Sequence, residues 1–295
     1  AEAQRIAQAE ARAGAEQALR EAQEAAHRAE QETLRNEFER LMAALQDLPA
    51  DRPALFLNAG LYGAKLTGAT LRDHYRDPAV YAEGQIAILE TFSPDFLISP
   101  FILAGLGEAF GSRLAISIRQ PPTVATFAAD SAEAALRLPL PDVDSHPVIL
   151  YLRESLRLLA GRQGGKVPLI GLLVSPLDLP PLIIGLEAWL DALLFRPEVA
   201  RALLDRLTPF FAALGRAMLS DGATALGLTA NLANRFMVPE RVVEGLGRPA
   251  LKEALAELKG FDDVWIDTPP ALNFFTRSAL IAADRCLIPF DCDSF

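Results

Sequence analysis

Polar side chains follow several short apolar runs of the sequence, where a binding or catalytic group would project from the end of a strand. Ser99, Ser175 and Asp178 follow two such runs, and Thr229 and Asn231 follow a third. Hydroxyls and amides offer neutral hydrogen bonds, whereas a carboxylate adds a proton acceptor. Each hydroxyl or amide has the equally simple interpretation of a helix cap. The predicted ligand-binding residues are Asn58, Tyr62, Ser99, Ser175, Asp178, Thr229, Asn231 and, if the C-terminal segment completes the sheet, Asp267.

The residues that most often bind metals are few. The chain has two cysteines, Cys286 and Cys292, and three histidines, His27, His74 and His146. No histidine lies near either cysteine in the sequence, so we expect two buried, inert thiols and no zinc site. Two cysteines build no disulfide framework, which favours a reducing compartment and makes the cytoplasm the expected location.

Composition excludes several classes of partner. The 295 residues carry a formal net charge of −10 and no cluster of Lys and Arg, which argues against a nucleic-acid surface. The most apolar stretch, residues 167–194, contains four prolines and three acids, so we expect no membrane span. Residues 1–32 are charged and have no apolar core segment, so we predict no signal peptide.

The elements that must position these side chains follow an α/β rhythm, because short apolar runs alternate with amphipathic stretches from Pro53 onward. This rhythm predicts a parallel sheet. Helices are expected at Asp77 to Phe92 and Pro197 to Ser220, which begin with proline and an acid. The predicted strands are Ala54 to Leu57, Phe96 to Ile98, Leu114 to Ile118, Leu169 to Val174, Ala225 to Leu228, Val264 to Ile266 and Cys286 to Phe290.

A single long helix is expected over residues 1–46, which are rich in Ala, Glu, Gln and Arg. Leu34, Phe38, Leu41 and Leu45 form an apolar stripe that can dock on a core. Residues 1–33 offer little apolar area, so we interpret them as a solvated arm or a weak site of self-association, dispensable for the fold.

Residues 34–247 resemble the barrels of the uroporphyrinogen decarboxylase family. The resemblance is carried by NEFERLMAALQDLPADRPALFLNAG (residues 36–60), VPLIGLLVSPLDLPPLIIG (167–185) and LLDRLTPFFAALGRAMLSDGATALGLTANLANRFMVPE (203–240). The segment GAKLTGATLRDHYRDPAVYAEGQIAILETFSPDFL (63–97) is similar to the cobamide-dependent methyltransferases of that family. The resemblance implies a (β/α)8 TIM-barrel-like fold, with its site at the carboxyl ends of the strands.

The chain departs from the family at the positions that would do chemistry. Leu57 and Leu61 stand where the decarboxylases have two substrate-binding arginines, and residues 99–106 contain no acid. A further acid after the fifth strand of the family is replaced by Ala230 or Asn231, and the His-x-Cys zinc pair of the methyltransferases is absent. We therefore expect decarboxylation to be lost. If the chain is active, the resemblance implies a methyltransferase or lyase, with a cobamide-type or one-carbon carrier or a corrinoid protein as partner.

Residues 248–295 resemble a different class, the ParA/MinD-type P-loop ATPases. The resemblance is carried by FDDVWIDTPPALNFFTRSALIAADRCLIPFDCD (261–293), in which Asp267 matches the Walker B acid that holds magnesium. No P-loop accompanies it, because GRQGGKVP (161–168) has Val and Pro where a Ser or Thr and a helix are required. This segment is therefore predicted to be a βαβ unit without a nucleotide cradle.

Three functions remain open from sequence. The first is a barrel related to corrinoid or one-carbon methyltransferases, with activity absent or altered. The second is a fragment of a ParA-type partitioning ATPase, and the third is a non-catalytic scaffold. The seven predicted strands fall one short of a closed barrel, so we expect an incomplete barrel joined near residues 245–250 to the ParA-like unit, as in a composite of two proteins.

Overall fold

A computed structural model describes residues 60–100, 103–117, 120–229, 231–232 and 237–256, with shorter stretches at 17–23, 25, 28, 39–40, 52, 55, 258 and 265–266. Residues 17–23, 25, 28, 39 and 40 are helical, and the rest of the predicted N-terminal helix lies outside the described residues. The parallel strands are β1 (Leu97–Ile98), β4 (Leu169–Val174), β5 (Ala225–Thr229) and β6 (Trp265–Ile266), and the hairpin strands are β2 (Arg113–Ala115) and β3 (Thr123–Thr126). The helices are α1 (Tyr62–Thr67), α2 (Leu71–His74), α3 (Pro78–Phe92), α4 (Leu103–Ala109), α5 (Ala132–Ala135), α6 (Pro147–Gln163), α7 (Pro180–Ile184), α8 (Leu186–Phe195), α9 (Pro197–Ser220), α10 (Glu240–Val242) and α11 (Arg248–Ala256).

Local chemistry sets the ends of the long helices. Asp77 caps α3 by accepting the N–H of Ala79 at 2.8 Å, and Pro78 occupies the first turn. Helix α6 ends at Gly164, which adopts the left-handed backbone with φ of +60°. Helix α9 also begins with a proline and buries an apolar face along its 24 residues. The two helices predicted from sequence are confirmed at α3 and α9.

The central sheet is parallel, with strand order β1-β4-β5-β6. Leu97 pairs with Leu169, and Val174 pairs with Thr229 at the far end of the β4–β5 ladder. Strand β6 continues the sheet by pairing Trp265 with Gly227. Helices connect successive strands, which is the arrangement expected of a barrel segment in which each strand feeds a crossover helix.

The prediction that Leu114 to Ile118 forms a strand of this sheet is wrong. Strand β2 pairs antiparallel with β3, with Leu114 opposite Val124, in a hairpin separate from the parallel sheet. Both strands are largely exposed, unlike the buried strands β4 and β5. A short apolar run cannot distinguish a hairpin from a barrel strand, and here β1 pairs directly with β4 instead.

A buried carboxylate marks the amino end of the sheet. Asp95, which is 1% exposed, pairs with Arg52 and with Arg40 at 3.1 Å. Its backbone N–H donates to the carbonyl of Leu55 at 3.1 Å, and its carboxylate accepts the N–H of Leu55. Leu55 therefore lies beside the start of β1, while the rest of the predicted strand Ala54 to Leu57 lies outside the described residues and stays a prediction.

The last described helices form one continuous helical run. Helix α10 passes through a π-helical turn at Val243–Gly247 directly into α11. Leu246, Ala250 and Ala254 are buried in the core together with residues of α9. The predicted boundary between residues 247 and 248 falls inside this run, and the division of the chain at that point stays a prediction.

Candidate functional site

The carboxyl ends of the strands bring several of the predicted site residues together. The backbone N–H of Ser175, just after β4, donates to the carbonyl of Thr229, the last residue of β5, at 2.8 Å. Ser99 follows β1, and its hydroxyl accepts the N–H of Leu172 at 2.8 Å. The Ser99 side chain is therefore used within the sheet, whereas Ser175 and Thr229 define its carboxyl edge.

Asp178 joins the loops that follow β4 and β5. Its carboxylate accepts the backbone N–H of Asn231 at 2.6 Å and that of Leu232 at 2.8 Å. Its own backbone N–H donates to the hydroxyl of Ser175 at 3.2 Å, closing the turn after β4. Asn231 contributes through its backbone, since its side chain is exposed. One carboxylate thus fixes two neighbouring loops at the predicted position of the site.

Burial gives Asp178 unusual acid–base properties. The side chain is largely excluded from water, and this burial raises the pKa of Asp178 from 3.8 to about 6. The hydrogen bonds from Leu232, Asn231 and Ser175 act in the opposite direction and stabilise the charged form. A carboxyl group with such a pKa exchanges its proton near neutral pH, as a general acid or base must.

Thr229 offers an unused polar group at the same edge. Its side-chain hydroxyl is buried, and within the described part of the chain it has no hydrogen-bond partner. A buried hydroxyl without a partner costs free energy, and a ligand that supplies a hydrogen bond recovers it. Thr229 and Asp178 are therefore two described side chains of this edge that could bind a ligand.

The remaining predicted residues lie elsewhere or outside the described chain. The Tyr62 ring packs on that of Phe92, with the ring centroids 5.9 Å apart. Phe92 ends α3, and the chain leads from it to the amino end of β1. The Tyr62 ring therefore packs on the last residue of α3, and no described contact joins it to Asp178. Asn58 and Asp267 lie outside the described residues, so their place in the site stays a prediction.

Two cavities lie away from this edge. One of about 160 Å³ is lined by residues that include Tyr75, Glu108 and Tyr151, and an open groove of about 680 Å³ is lined by residues that include Phe127 and Ile184.

Among the described residues, no three His, Cys, Asp or Glu side chains come together to hold a metal ion. Cys286 and Cys292 lie outside that part of the chain, and the expectation of two inert thiols stays a prediction. No helix in the described ranges is both long and apolar enough to span a membrane.

Sequence reasoning missed His74, which it treated only as a histidine too far from the cysteines to bind zinc. The side chain is fully buried, and its Nε2 lies 2.6 Å from the carbonyl oxygen of Gly60. Because burial disfavours the charged imidazolium, the pKa of His74 is lowered. Nothing in the local sequence DHYRDP signals this contact, since its partner lies 14 residues upstream.

Curated relatives of the chain are methyltransferases. The chain is 26% identical over 228 residues to the methylcobamide:CoM methyltransferase MtbA of Methanosarcina acetivorans, a match that covers 76% of this chain and 67% of the relative. It is 24% identical over 201 residues to the methylcobamide:CoM methyltransferase MtaA of Methanosarcina barkeri, which covers 66% and 58%. A solved methyltransferase from Methanosarcina mazei has the same fold, with a TM-score of 0.66 at 17% identity, over 78% of this chain and 69% of that one.

The family comparison spans most of the sequence. Residues 36–289 match the family described as uroporphyrinogen decarboxylase (URO-D). This match runs through most of the segment that resembles the ParA/MinD-type ATPases, and no comparison supports an ATPase unit there. Together with the parallel sheet and its TIM-barrel-like neighbour, the match shows that the chain belongs to the uroporphyrinogen decarboxylase family.

Proposed function

We propose that the chain binds a cobamide or a related one-carbon carrier at the carboxyl edge of its sheet and takes part in methyl transfer. The observation that carries this proposal is that two side chains lie at that edge: Asp178, whose pKa is raised, and Thr229, whose hydroxyl has no hydrogen-bond partner among the described residues. The names of the relatives MtbA and MtaA support the cobamide class of ligand. Active sites of (β/α)8 barrels lie at this end of the strands.

We also propose that uroporphyrinogen is not the substrate. A polycarboxylate requires cationic partners, yet Leu61 stands at the position of one family arginine and packs against the hydrophobic core. Ser99 begins a stretch without an acid and uses its hydroxyl within the sheet. Leu57, at the position of the second arginine, lies outside the described residues. The described residues of this edge offer one weakly acidic carboxyl group, Asp178, which suits a ligand of low charge.

The chain's own residues supply hydrogen bonding and proton exchange. The Thr229 hydroxyl would donate a hydrogen bond to a polar group of the ligand or accept one from it. This bond would supply the partner that the hydroxyl lacks among the described residues. Asp178 would hold or release a proton at its carboxyl oxygens while the loops after β4 and β5 stay joined. A bound methylcobamide would supply an electrophilic methyl group.

Titration with hydroxocobalamin, followed by absorbance and calorimetry, tests the proposal. We expect a dissociation constant in the micromolar range and, in Thr229→Val, binding that is weaker by about tenfold, the loss of one hydrogen bond. Val has nearly the volume of Thr and removes a hydroxyl that has no partner among the described residues, so the unliganded variant should melt at the same or a higher temperature. Thr123→Val, at an exposed position of β3, is the matched control.

The results also separate the open functions. No binding of hydroxocobalamin by the wild type would refute the cobamide proposal and favour the scaffold. Binding that Thr229→Val and Thr123→Val leave equally unchanged would place the ligand away from this edge. Release of CO2 from uroporphyrinogen would show that decarboxylation survives without the family arginines.

A further inference from the structure

His74 connects the chain after Leu55 to the carboxyl end of β1. Gly60 lies beside that end, since a Cβ on Gly60 would sit 3.9 Å from Cδ1 of Ile98. The Nε2 of His74 is 2.6 Å from the Gly60 carbonyl oxygen. Because a carbonyl only accepts, Nε2 carries the proton and donates it. This bond fixes the backbone immediately before Leu61 and α1.

The imidazole is held rigidly. Its centroid lies 4.9 Å from that of the Tyr81 ring, and a Cβ on Gly84 would approach its Cε1 to 3.2 Å. The backbone carbonyl of His74 accepts the hydroxyl of Tyr151 at 2.6 Å, which ties α2 to α6. The Tyr81 hydroxyl donates to the carbonyl of Ile98 at 2.9 Å. Three helices therefore fix the ring relative to the end of β1.

The tautomer of His74 is fixed as well. Its Nδ1 is buried and, among the described residues, has no hydrogen-bond partner. A second proton on Nδ1 would place an uncompensated charge in an apolar and aromatic setting, which burial strongly disfavours. The ring is therefore neutral, with its single proton on Nε2 directed at Gly60.

From these contacts we infer that His74 is a positioning residue for the ligand edge: its Nε2–H orients Gly60 and the following Leu61, where the family's decarboxylases present an arginine. This inference rests on the proposed function, because it assigns His74 an indirect role at the edge that binds the ligand. The imidazole acts through Gly60 and is not assigned a ligand contact, because its Nε2 is already used by the Gly60 carbonyl.

Two substitutions separate the hydrogen bond from packing. His74→Gln keeps an N–H donor for the Gly60 carbonyl, whereas His74→Leu fills similar space without one. The matched controls are His146→Gln and His146→Leu, because His146 precedes α6 and makes no side-chain capping bond. The first measurement is hydrogen–deuterium exchange of the amides of residues 60–62, which needs no ligand. The second is the affinity for hydroxocobalamin.

In His74→Leu we expect exchange at residues 60–62 to rise about tenfold, the equivalent of one lost hydrogen bond, while β4 stays protected. Hydroxocobalamin affinity should fall by a similar factor, and His74→Gln should recover most of both. The ¹⁵N shifts of His74 should show a protonated Nε2 and an unprotonated Nδ1 near neutral pH.

Unchanged exchange at residues 60–62 in His74→Leu would overturn the inference. So would a loss of protection in β4 as large as that at residues 60–62, because it would indicate a purely structural role for His74. Failure of His74→Gln to recover the wild-type exchange, or a proton found on Nδ1, would do the same. If the wild type does not bind hydroxocobalamin, the proposed function fails, and the exchange data still decide whether His74 orients residues 60–62.

Discussion

The raised pKa of Asp178 makes the stability of the protein depend on pH in a definite direction. The folded chain holds the Asp178 proton more tightly than the unfolded chain does, because burial raises the pKa from 3.8 to about 6. The folded state therefore binds more protons between these two values. Its stabilisation is complete below about pH 4 and is lost as the pH rises through about 6.

The size of the effect follows from the same values. At about 1.4 kcal/mol per pH unit, a rise from 3.8 to about 6 corresponds to about 3 kcal/mol of unfolding free energy. Asp178→Asn keeps the size of the side chain and cannot ionise. The free energy of unfolding of the wild type, relative to that of Asp178→Asn, should thus fall by about 3 kcal/mol between about pH 4 and pH 7.

Urea denaturation at a series of pH values measures this difference directly. Asp205→Asn, on the exposed face of α9, is the matched control and should follow the wild type at every pH. A constant difference between the wild type and Asp178→Asn would refute the reasoning. It would mean that the N–H groups of Asn231 and Leu232 fully offset the effect of burial on the carboxylate.

Two further predictions concern packing and nucleotide binding. Gly84→Ala should lower the unfolding free energy by about 1–3 kcal/mol, because the new Cβ would lie 2.9 Å from the carbonyl carbon of Gly63 and force α1 from α3. At Gly161 a new Cβ would meet open space, so Gly161→Ala should raise the unfolding free energy by about 0.5–1 kcal/mol. A thermal melt in which Gly84→Ala is the more stable of the two variants would contradict both expectations. Calorimetric titration with Mg-ATP should show no binding, because the sequence has no P-loop; a micromolar constant abolished by Asp267→Ala would contradict that prediction.

Elements with strong local signals were predictable from the sequence. The strand at Leu169 to Val174 has the predicted bounds, because a continuous apolar run between prolines indicates a buried strand. The helix at Pro197 to Ser220 also has the predicted bounds, because its amphipathic run begins with a proline. The pairing of strands is set by distant residues instead. The half-exposed run at Leu114 therefore gave no sign that its partner was β3.

The spatial grouping of some candidate residues could be predicted. Alternation of strands and helices placed Ser175, Asp178 and Thr229 after their strands, and these residues share one edge of the sheet. What the sequence lacks is the partner of each group. Asp178 accepts two backbone N–H groups from a loop more than 50 residues away in the sequence. His74 likewise contacts Gly60 only because the folded chain brings the two segments together.

The Asp95 cluster at the amino end of the sheet determines which parts of the chain unfold together. Both of its arginines, Arg40 and Arg52, precede the sheet in the chain, whereas Asp95 leads into β1. Removing Arg40 and Arg52 would take two cations away from a buried carboxylate, at a cost of several kcal/mol. Arg40, Arg52 and Leu55 should therefore lose their contacts with Asp95 in the same cooperative step in which the parallel sheet unfolds.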